Sequence, residues 1–520
     1  MLRRLICVMC VLCMTVAVAA ADDPFEAFGV RSVSFTADRD YANPFGDVDI
    51  IAEVTRPNGT KQTLNAFWDG GRVWRVRILC EQQGTYRINA HSSDGKRWGE
   101  QTVIATDHLA PPRMRVSDDR THFVDGDGSP WFYLADTAWN GALRSSDADW
   151  KTYLDTRRKQ RFNTIQFVTT QWRGGRKSLE FKAFEGTKHI TISPVFFQRM
   201  DDKFAAVVQR KLTPAPVMLW ALQKDDPGQA LDEADAIRLA RYELARWGAL
   251  DVIWLLGGDG RYTGQIDRWK RIGQATFTDH PEQIVTLHPC GRSWVGEQFA
   301  DQSWYDFVGY QSGHGAGEGD LKFLTQTIAE RWAKVNRPVI NLEPNYEGHP
   351  AYGTGKPHTP QHVRRAAYWS LLVTPPTGVT YGNNCIWTWN DKPGPSEGHG
   401  GLGKVEPWSS GLNMPAIADM TVLRDYFESG PWPKLRPAPK LLAHQPDDKD
   451  PNLFIAAAQT DDGSWTVVYT PVKQAIEFRQ RPAGQARWFN PRTGERRDAK
   501  ASGNTFSPPD DNDWVLELRN

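Results

Sequence analysis

The chain has 520 residues, 40% of them apolar and 24% charged, which at roughly 150 residues per domain allows about two to four globular domains and excludes a disordered or collagen-like chain. Lys plus Arg and Asp plus Glu both total 62, so no basic excess exists to neutralise a phosphate backbone, which argues against a nucleic-acid partner. What stands out is 22 Trp, whose flat faces bury core area and also stack on sugar rings.

Residues 1–21 follow the plan of a secretory signal peptide: Arg3 and Arg4, an apolar stretch from Leu5 to about Val18, then Ala19-Ala20-Ala21 before Asp22. The apolar run is short of the roughly 20 residues a spanning helix needs, so cleavage is predicted over anchoring, with a periplasmic or extracellular destination. Met9 and Leu12 stand where a small residue should precede a lipidated Cys10 or Cys13. No later segment is apolar enough to span a membrane. Cys80, Cys290 and Cys385 remain, a set too sparse and odd for a disulfide framework or structural zinc.

Residues 25–110 read as short strands punctuated by Asn58-Gly59, Asp69-Gly70 and Asp94-Gly95, dipeptides that supply the positive φ of tight hairpins. This predicts a β-sandwich of roughly 85 residues. Beyond Ala110-Pro111-Pro112 the pattern changes to strands alternating with helices. Apolar runs at Trp131 to Ala135, Thr164 to Val168, Val217 to Leu222, Val252 to Leu256, Ile284 to Leu287, Phe307 to Tyr310, Val339 to Leu342 and Val379 to Trp389 are the predicted strands. Ser146 and Thr359-Pro360 open helices, and Ile237, Ala240, Leu244, Trp247 and Leu321, Leu324, Ile328, Trp332, Val335 carry helical spacing. Eight such strands over residues 113–432 predict an α/β fold, a (β/α)₈ TIM barrel. A doubly wound open sheet is the alternative, but Ala135-Asp136-Thr137-Ala138-Trp139 does not resemble its Gly-rich phosphate loop. After the Pro-rich stretch near 431–439, residues 440–520 return to hairpin patterning and predict a C-terminal β-sandwich.

In such a barrel the residues just past each strand carry function. Asp259 ends Val252-Ile253-Trp254-Leu255-Leu256-Gly257-Gly258-Asp259, and Glu343 ends Val339-Ile340-Asn341-Leu342-Glu343-Pro344. Gly257 and Gly258 free the backbone to turn and approach a ligand, and Pro344 biases Glu343 toward extended backbone. Two carboxyl groups at one rim are what glycosidic cleavage needs, one to protonate the leaving oxygen and one to attack or activate water. The bland alternative is a capping Asp and a Glu in a surface ion pair. Around them Asp136 and Trp139, Gln171 and Trp172, Gln223, His288, Gln311 and His314, Tyr346, Trp387 and Trp389 follow successive strands, where polar groups would bind hydroxyls and an indole would floor a sugar pocket. Of these, Asp136, Trp139, Gln171, Trp172, His288, Gln311, Tyr346 and Trp387 are the predicted substrate-binding set. His288, His314, His349 and His358 lie on separate segments without ligand spacing, so no metal or other cofactor is predicted. Asp125-Gly126-Asp127-Gly128 lacks the downstream Glu of a calcium loop and reads as a turn.

Trp131-Phe132-Tyr133-Leu134-Ala135-Asp136-Thr137-Ala138-Trp139, Gly257-Gly258-Asp259 and Glu343-Pro344-Asn345-Tyr346-Glu347-Gly348 together resemble the apiosidase-like glycoside hydrolases of family 140. The flanking regions resemble that family's usual neighbours, an immunoglobulin-like N-terminal domain and, around Trp488-Phe489-Asn490-Pro491-Arg492-Thr493-Gly494, a C-terminal domain that carries a collagen-binding label. The resemblance implies Asp259 as acid/base and Glu343 as nucleophile. Many retaining barrel glycosidases are similar in placing the pair on strands four and seven, but with Asn-Glu at strand four. Gly258-Asp259 stands there in this chain, so the hydrogen bond an Asn would make to a sugar hydroxyl must come from elsewhere. The expectation is an exported glycosidase removing a terminal sugar, such as a furanosyl apiose or arabinose, from polysaccharide side chains. A non-catalytic glycan-binding scaffold on the same barrel is the competing reading.

Overall fold

The computed structural model of the protein describes residues 23–180, 182–448 and 450–520, so the predicted signal segment at 1–21 lies outside the described residues. Eight parallel strands form the central sheet: β1 (Tyr133–Thr137), β2 (Thr164–Val168), β3 (Thr213–Trp220), β4 (Ile253–Gly258), β5 (Ile284–Thr286), β6 (Val308–Tyr310), β7 (Val339–Asn341) and β8 (Gly378–Tyr381). They pair in chain order, and β8 pairs with β1, which excludes the open doubly wound sheet. Side chains bring β5 and β6 together where the backbone ladder stops. The Thr286 hydroxyl donates to the Phe307 carbonyl at 2.7 Å and accepts from the Gly309 N–H at 3.0 Å, while the Asp306 carboxylate accepts from the Val285 N–H at 2.9 Å. The result is a TIM barrel whose strands are buried on both faces, which is why they read as continuous apolar runs.

Two predicted strands overrun the observed ends by two residues or more. The run predicted over 217–222 is β3, which ends at Trp220, two residues earlier. The run predicted over 379–389 stops at Tyr381. Asn383 then caps a short helix, Asn384–Thr388, by accepting from the Ile386 N–H at 3.1 Å, and Trp389 ends it with φ at +52°. Helical spacing found its elements: Ser146 caps Asp147–Lys159, Asp232 caps Glu233–Trp247, and Thr359 caps Pro360–Leu372. The 321–335 stretch is helical with a π turn at Phe323–Thr327.

An antiparallel β-domain lies on each side of the barrel. At the N-terminal side, strands Val30–Thr36, Val73–Leu79 and Phe67–Gly70 form one sheet, and Lys61–Asn65, Ile50–Thr55, Gly84–Ser92 and Arg97–Ala105 form the other. The stretch between the Asn58-Gly59 and Asp69-Gly70 turns is therefore two strands in different sheets, split at Ala66. At the C-terminal side a six-stranded sheet built around Trp465–Thr470 and Trp514–Arg519 packs with a three-stranded one. The N-terminal domain docks through Arg77, which bonds Asp201 and the Arg246 carbonyl on two barrel helices. The C-terminal domain docks through Asp513, which accepts from Arg364 at 2.8 and 2.9 Å. Among the described residues no helix is long and apolar enough to cross a membrane.

Candidate active site

A cavity of about 660 Å³ opens at the carboxyl ends of the barrel strands. Among the described residues, those that line it all fall between Trp139 and His399, and none comes from a flanking β-domain. Asp259 and Glu343 both face into it.

Asp259 follows β4 directly and holds φ at +50°, a left-handed conformation that a non-glycine residue adopts only when its surroundings fix it. Those surroundings are the ends of β4 and β5. The His288 N–H donates to the Gly257 carbonyl at 2.9 Å, and the Gly260 N–H to the His288 carbonyl at 3.2 Å. The Asp259 N–H itself donates to His288 Nδ1 at 3.1 Å. The turn thus falls on Asp259 and not on the glycines before it. Gly257 and Gly258 make room for protein side chains rather than for a ligand: a Cβ at 257 would stand 2.6 Å from the Tyr262 hydroxyl, and one at 258 would stand 2.5 Å from Val217 Cγ1.

Glu343 stands two residues past β7, with one imidazole at each oxygen. His314 Nε2 lies 2.9 Å from Oε1, and His288 Nε2 lies 3.4 Å from Oε2. The remaining ring nitrogens settle the tautomers. His288 Nδ1 accepts from the Asp259 N–H, and His314 Nδ1 accepts from the Tyr346 N–H at 3.4 Å. In each neutral ring the proton is then on Nε2, directed at Glu343.

These neighbours split the two carboxyl groups. Burial opposes the charge on Glu343, but the hydrogen bonds from His288 and His314 outweigh it and hold the group well below the usual carboxylate range. Asp259 has no such donors. Burial, then the charge of Glu343, push its carboxyl up to about 7, and Arg173 Nη2 at 3.4 Å offsets this only in part. Below about pH 7 one group is a carboxylate and the other a carboxylic acid.

Aromatic rings form the rest of the wall. Trp220, at the end of β3, packs against Trp172 at 4.3 Å and Trp139 at 5.3 Å between ring centres. The glycine-rich loop after β8 brings His399 against Trp172 at 5.5 Å and Trp387 at 4.7 Å. His349 stacks on His314 at 4.1 Å, and burial lowers its pKa to about 2, so it stays neutral. Tyr352 stands at the mouth, 63% exposed.

Of the predicted residues, Trp139, Trp172, Gln311, Tyr346 and Trp387 line the cavity with Asp259 and Glu343. His288 sits behind the two carboxyl groups. Asp136 and Gln171 do not belong to the wall. The Asp136 side chain points to the helix layer, where its carboxylate accepts from the Tyr153 hydroxyl at 2.7 Å and Arg157 Nε at 2.5 Å. Alternation along β1 explains this, since the neighbouring Tyr133 and Thr137 reach Gln166 inside the barrel. Gln171 is used up by the loop after β2, accepting from the Ala183 N–H and donating to the Phe184 carbonyl. Trp389 also lies away from the cavity, stacked on Trp408 at 4.9 Å. Sequence reasoning missed Trp220, Arg173, Tyr352 and His399. Trp220 was hidden because Ala221-Leu222 prolong the apolar run past the true strand end. Among the described residues, no three or more His, Cys, Asp or Glu side chains are grouped as metal ligands.

A barrel with two carboxyl groups facing one cavity at this rim is the architecture of a glycoside hydrolase. Residues 117–434 match the family described as "Apiosidase-like, catalytic domain", more than half of the chain, and the protein belongs to that family of glycoside hydrolases. Residues 24–93 match a domain of unknown function, DUF5060, and residues 437–519 match a "Putative collagen-binding domain of a collagenase". No curated protein matches the chain. Among solved structures, "a putative glycoside hydrolase from Bacteroides vulgatus ATCC 8482" superposes with a TM-score of 0.68 at 16% identity, covering 95% of this chain and 98% of that one. A glycoside hydrolase family 5 structure from the same organism gives 0.66 at 20% identity, over 78% and 93%. A structure titled "Glycoside hydrolase" gives 0.65 at 22%, over 79% and 97%. At these identities the likeness is one of fold.

Proposed function

We propose that the protein is an exported, retaining exo-glycosidase in which Asp259 is the acid/base and Glu343 the nucleophile, removing a terminal furanosyl residue such as apiose or arabinose from polysaccharide side chains. The observation that carries the residue roles is the split between the two carboxyl groups in one cavity. A nucleophile must be charged and a general acid must hold a proton at the same pH, and the two environments favour those states. In the first step Glu343 attacks the anomeric carbon while Asp259 gives its proton to the departing oxygen, leaving a glycosyl ester on Glu343 and a carboxylate on Asp259. In the second, Asp259 takes a proton from water, whose oxygen attacks the anomeric carbon and releases Glu343. Retention is supported by the position of the pair after β4 and β7, as in many retaining barrel enzymes. The cavity, about 660 Å³, has room for a terminal sugar together with part of the aglycone, which would leave past Tyr352.

The test is sugar release from a panel of 4-nitrophenyl furanosides and pyranosides, with the anomer of the first product followed by NMR. Turnover with retention that is lost in folded Asp259→Asn and Glu343→Gln is expected. Sugar binding without turnover by the unmodified protein would support a scaffold and contradict the proposal. Export is tested separately, by the N-terminal sequence of protein recovered outside the cytoplasm, which should begin at Asp22.

A further inference from the structure

Strand four presents Gly258-Asp259 where many retaining barrel glycosidases have Asn-Glu, so a donor to the sugar is missing from the usual place. The register of the sheet shows what stands there instead. Trp220 is the partner of Gly258 across the β3–β4 ladder. Its six-membered ring occupies the space of a side chain at 258, since a Cβ there would fall 2.7 Å from Trp220 Cε3 and 3.2 Å from Cζ3. Glycine at 258 and tryptophan at 220 are therefore one device.

The indole lines the cavity, is only 2% exposed, and is fixed between Trp172 and Trp139. Its Nε1–H has no hydrogen-bond partner among the described residues. A buried donor left unpaired is costly, and a wall residue can recover that cost when a ligand supplies the acceptor. On one side of Trp220, Trp172 Nε1 is already committed to Asn140 Oδ1 at 2.7 Å. Gln311 Oε1, the Tyr346 hydroxyl and Arg173 Nε are also buried without a partner near the carboxyl pair, and His288 Nε2 has only its 3.4 Å approach to Glu343.

We propose that Trp220 Nε1 donates the hydrogen bond to the sugar hydroxyl beside the anomeric carbon, the role left open by glycine at position 258. The inference rests on the glycosidase reading of Asp259 and Glu343. It makes Trp220 a specificity residue: the enzyme selects sugars that carry an oxygen at C2 within reach of the β3–β4 wall.

The experiment compares the 4-nitrophenyl glycoside hydrolysed fastest in the panel with its 2-deoxy counterpart, using unmodified enzyme and Trp220→Phe. The substitution keeps an aromatic ring and removes the N–H. On the parent glycoside kcat/KM should fall roughly 10- to 100-fold, whereas on the 2-deoxy glycoside the two proteins should agree within about threefold. Trp465→Phe, which removes an unpartnered indole N–H far from the cavity, should match the unmodified enzyme on both. Equal losses on both glycosides would mean that Trp220 only supports the wall, and an undiminished rate on the parent would mean that it makes no bond. Either result overturns the proposal while leaving the roles of Asp259 and Glu343 intact. Absence of turnover by the unmodified protein on every glycoside overturns both. Should Trp220→Phe not fold, Gly258→Ala, which pushes the ring aside, carries the same comparison.

Discussion

The seam between the N-terminal domain and the barrel and the cavity at the strand ends both bury acids, with opposite results. At the seam Asp201 accepts from Arg77 at 2.7 and 3.1 Å, from Arg246 at 2.7 and 2.8 Å, and from Trp247 Nε1 at 2.7 Å. Burial would raise its pKa, but the charges of Arg246 and Arg77 outweigh burial and lower it. Both guanidiniums also lie over the Phe67 ring, at 4.7 and 5.0 Å. The acid has no lone pair left to offer a ligand. In the cavity, Glu343 is held by two imidazoles and Asp259 by a single guanidinium at a longer distance. Burial alone therefore does not mark a reactive carboxyl group. What marks it is a partner set that fixes its protonation state and leaves it open to solvent on one side.

That contrast can be broken by exchanging charge for neutrality at each site. Glu343→Gln should reduce turnover to background on every substrate while the melting temperature changes little, measured by product release and thermal unfolding. Asp259→Asn should cost about 10²- to 10⁴-fold on glycosides with poor leaving groups and far less on activated aryl glycosides, because only the former need the proton. A uniform loss would contradict its role as the acid. Asp201→Asn should act the other way. It removes the carboxylate that Arg77 and Arg246 share, leaving Asp23 and Asp69 as their remaining acidic partners, and costs about 3–5 kcal/mol of stability in denaturant titration, with kcat of the folded fraction unchanged.

A finer test removes one imidazole. His314→Ala should lower kcat/KM roughly 10- to 100-fold through the lost hydrogen bond to a charged group. It should also shift the acid limb of the pH profile. As the proposed nucleophile Glu343 must be ionised, so activity should be lost as pH falls through its pKa. Removal of a donor raises that pKa, so the limb should move to higher pH. An unmoved limb would mean that His314 only packs.

The barrel was legible in the sequence because strands buried on both faces must be apolar throughout, and Asp259 and Glu343 could be singled out as charges that end such runs. Gly257-Gly258 was legible as unusual but not for its reason, since the rings of Trp269 and Trp220 that fill the vacated space come from elsewhere in the chain. Asp136 looked like a rim acid, and only the pleat of β1 shows that it faces Arg157. Trp220 escaped notice because the end of β3 is set by its pairing with β4, not by where apolar residues stop. The tautomers of His288 and His314 were beyond reach, as each depends on a backbone N–H presented by a different strand end.

The division of labour between Asp259 and Glu343 is tested most directly by the pH dependence of kcat/KM on one glycoside with a poor leaving group, in the unmodified enzyme and in Asp259→Asn. The unmodified enzyme should lose activity as pH rises through about 7, where Asp259 gives up its proton, and the variant should keep a level rate across that range. An alkaline limb that persists unchanged in Asp259→Asn would contradict the account, because the proton that controls the reaction would then reside on another group.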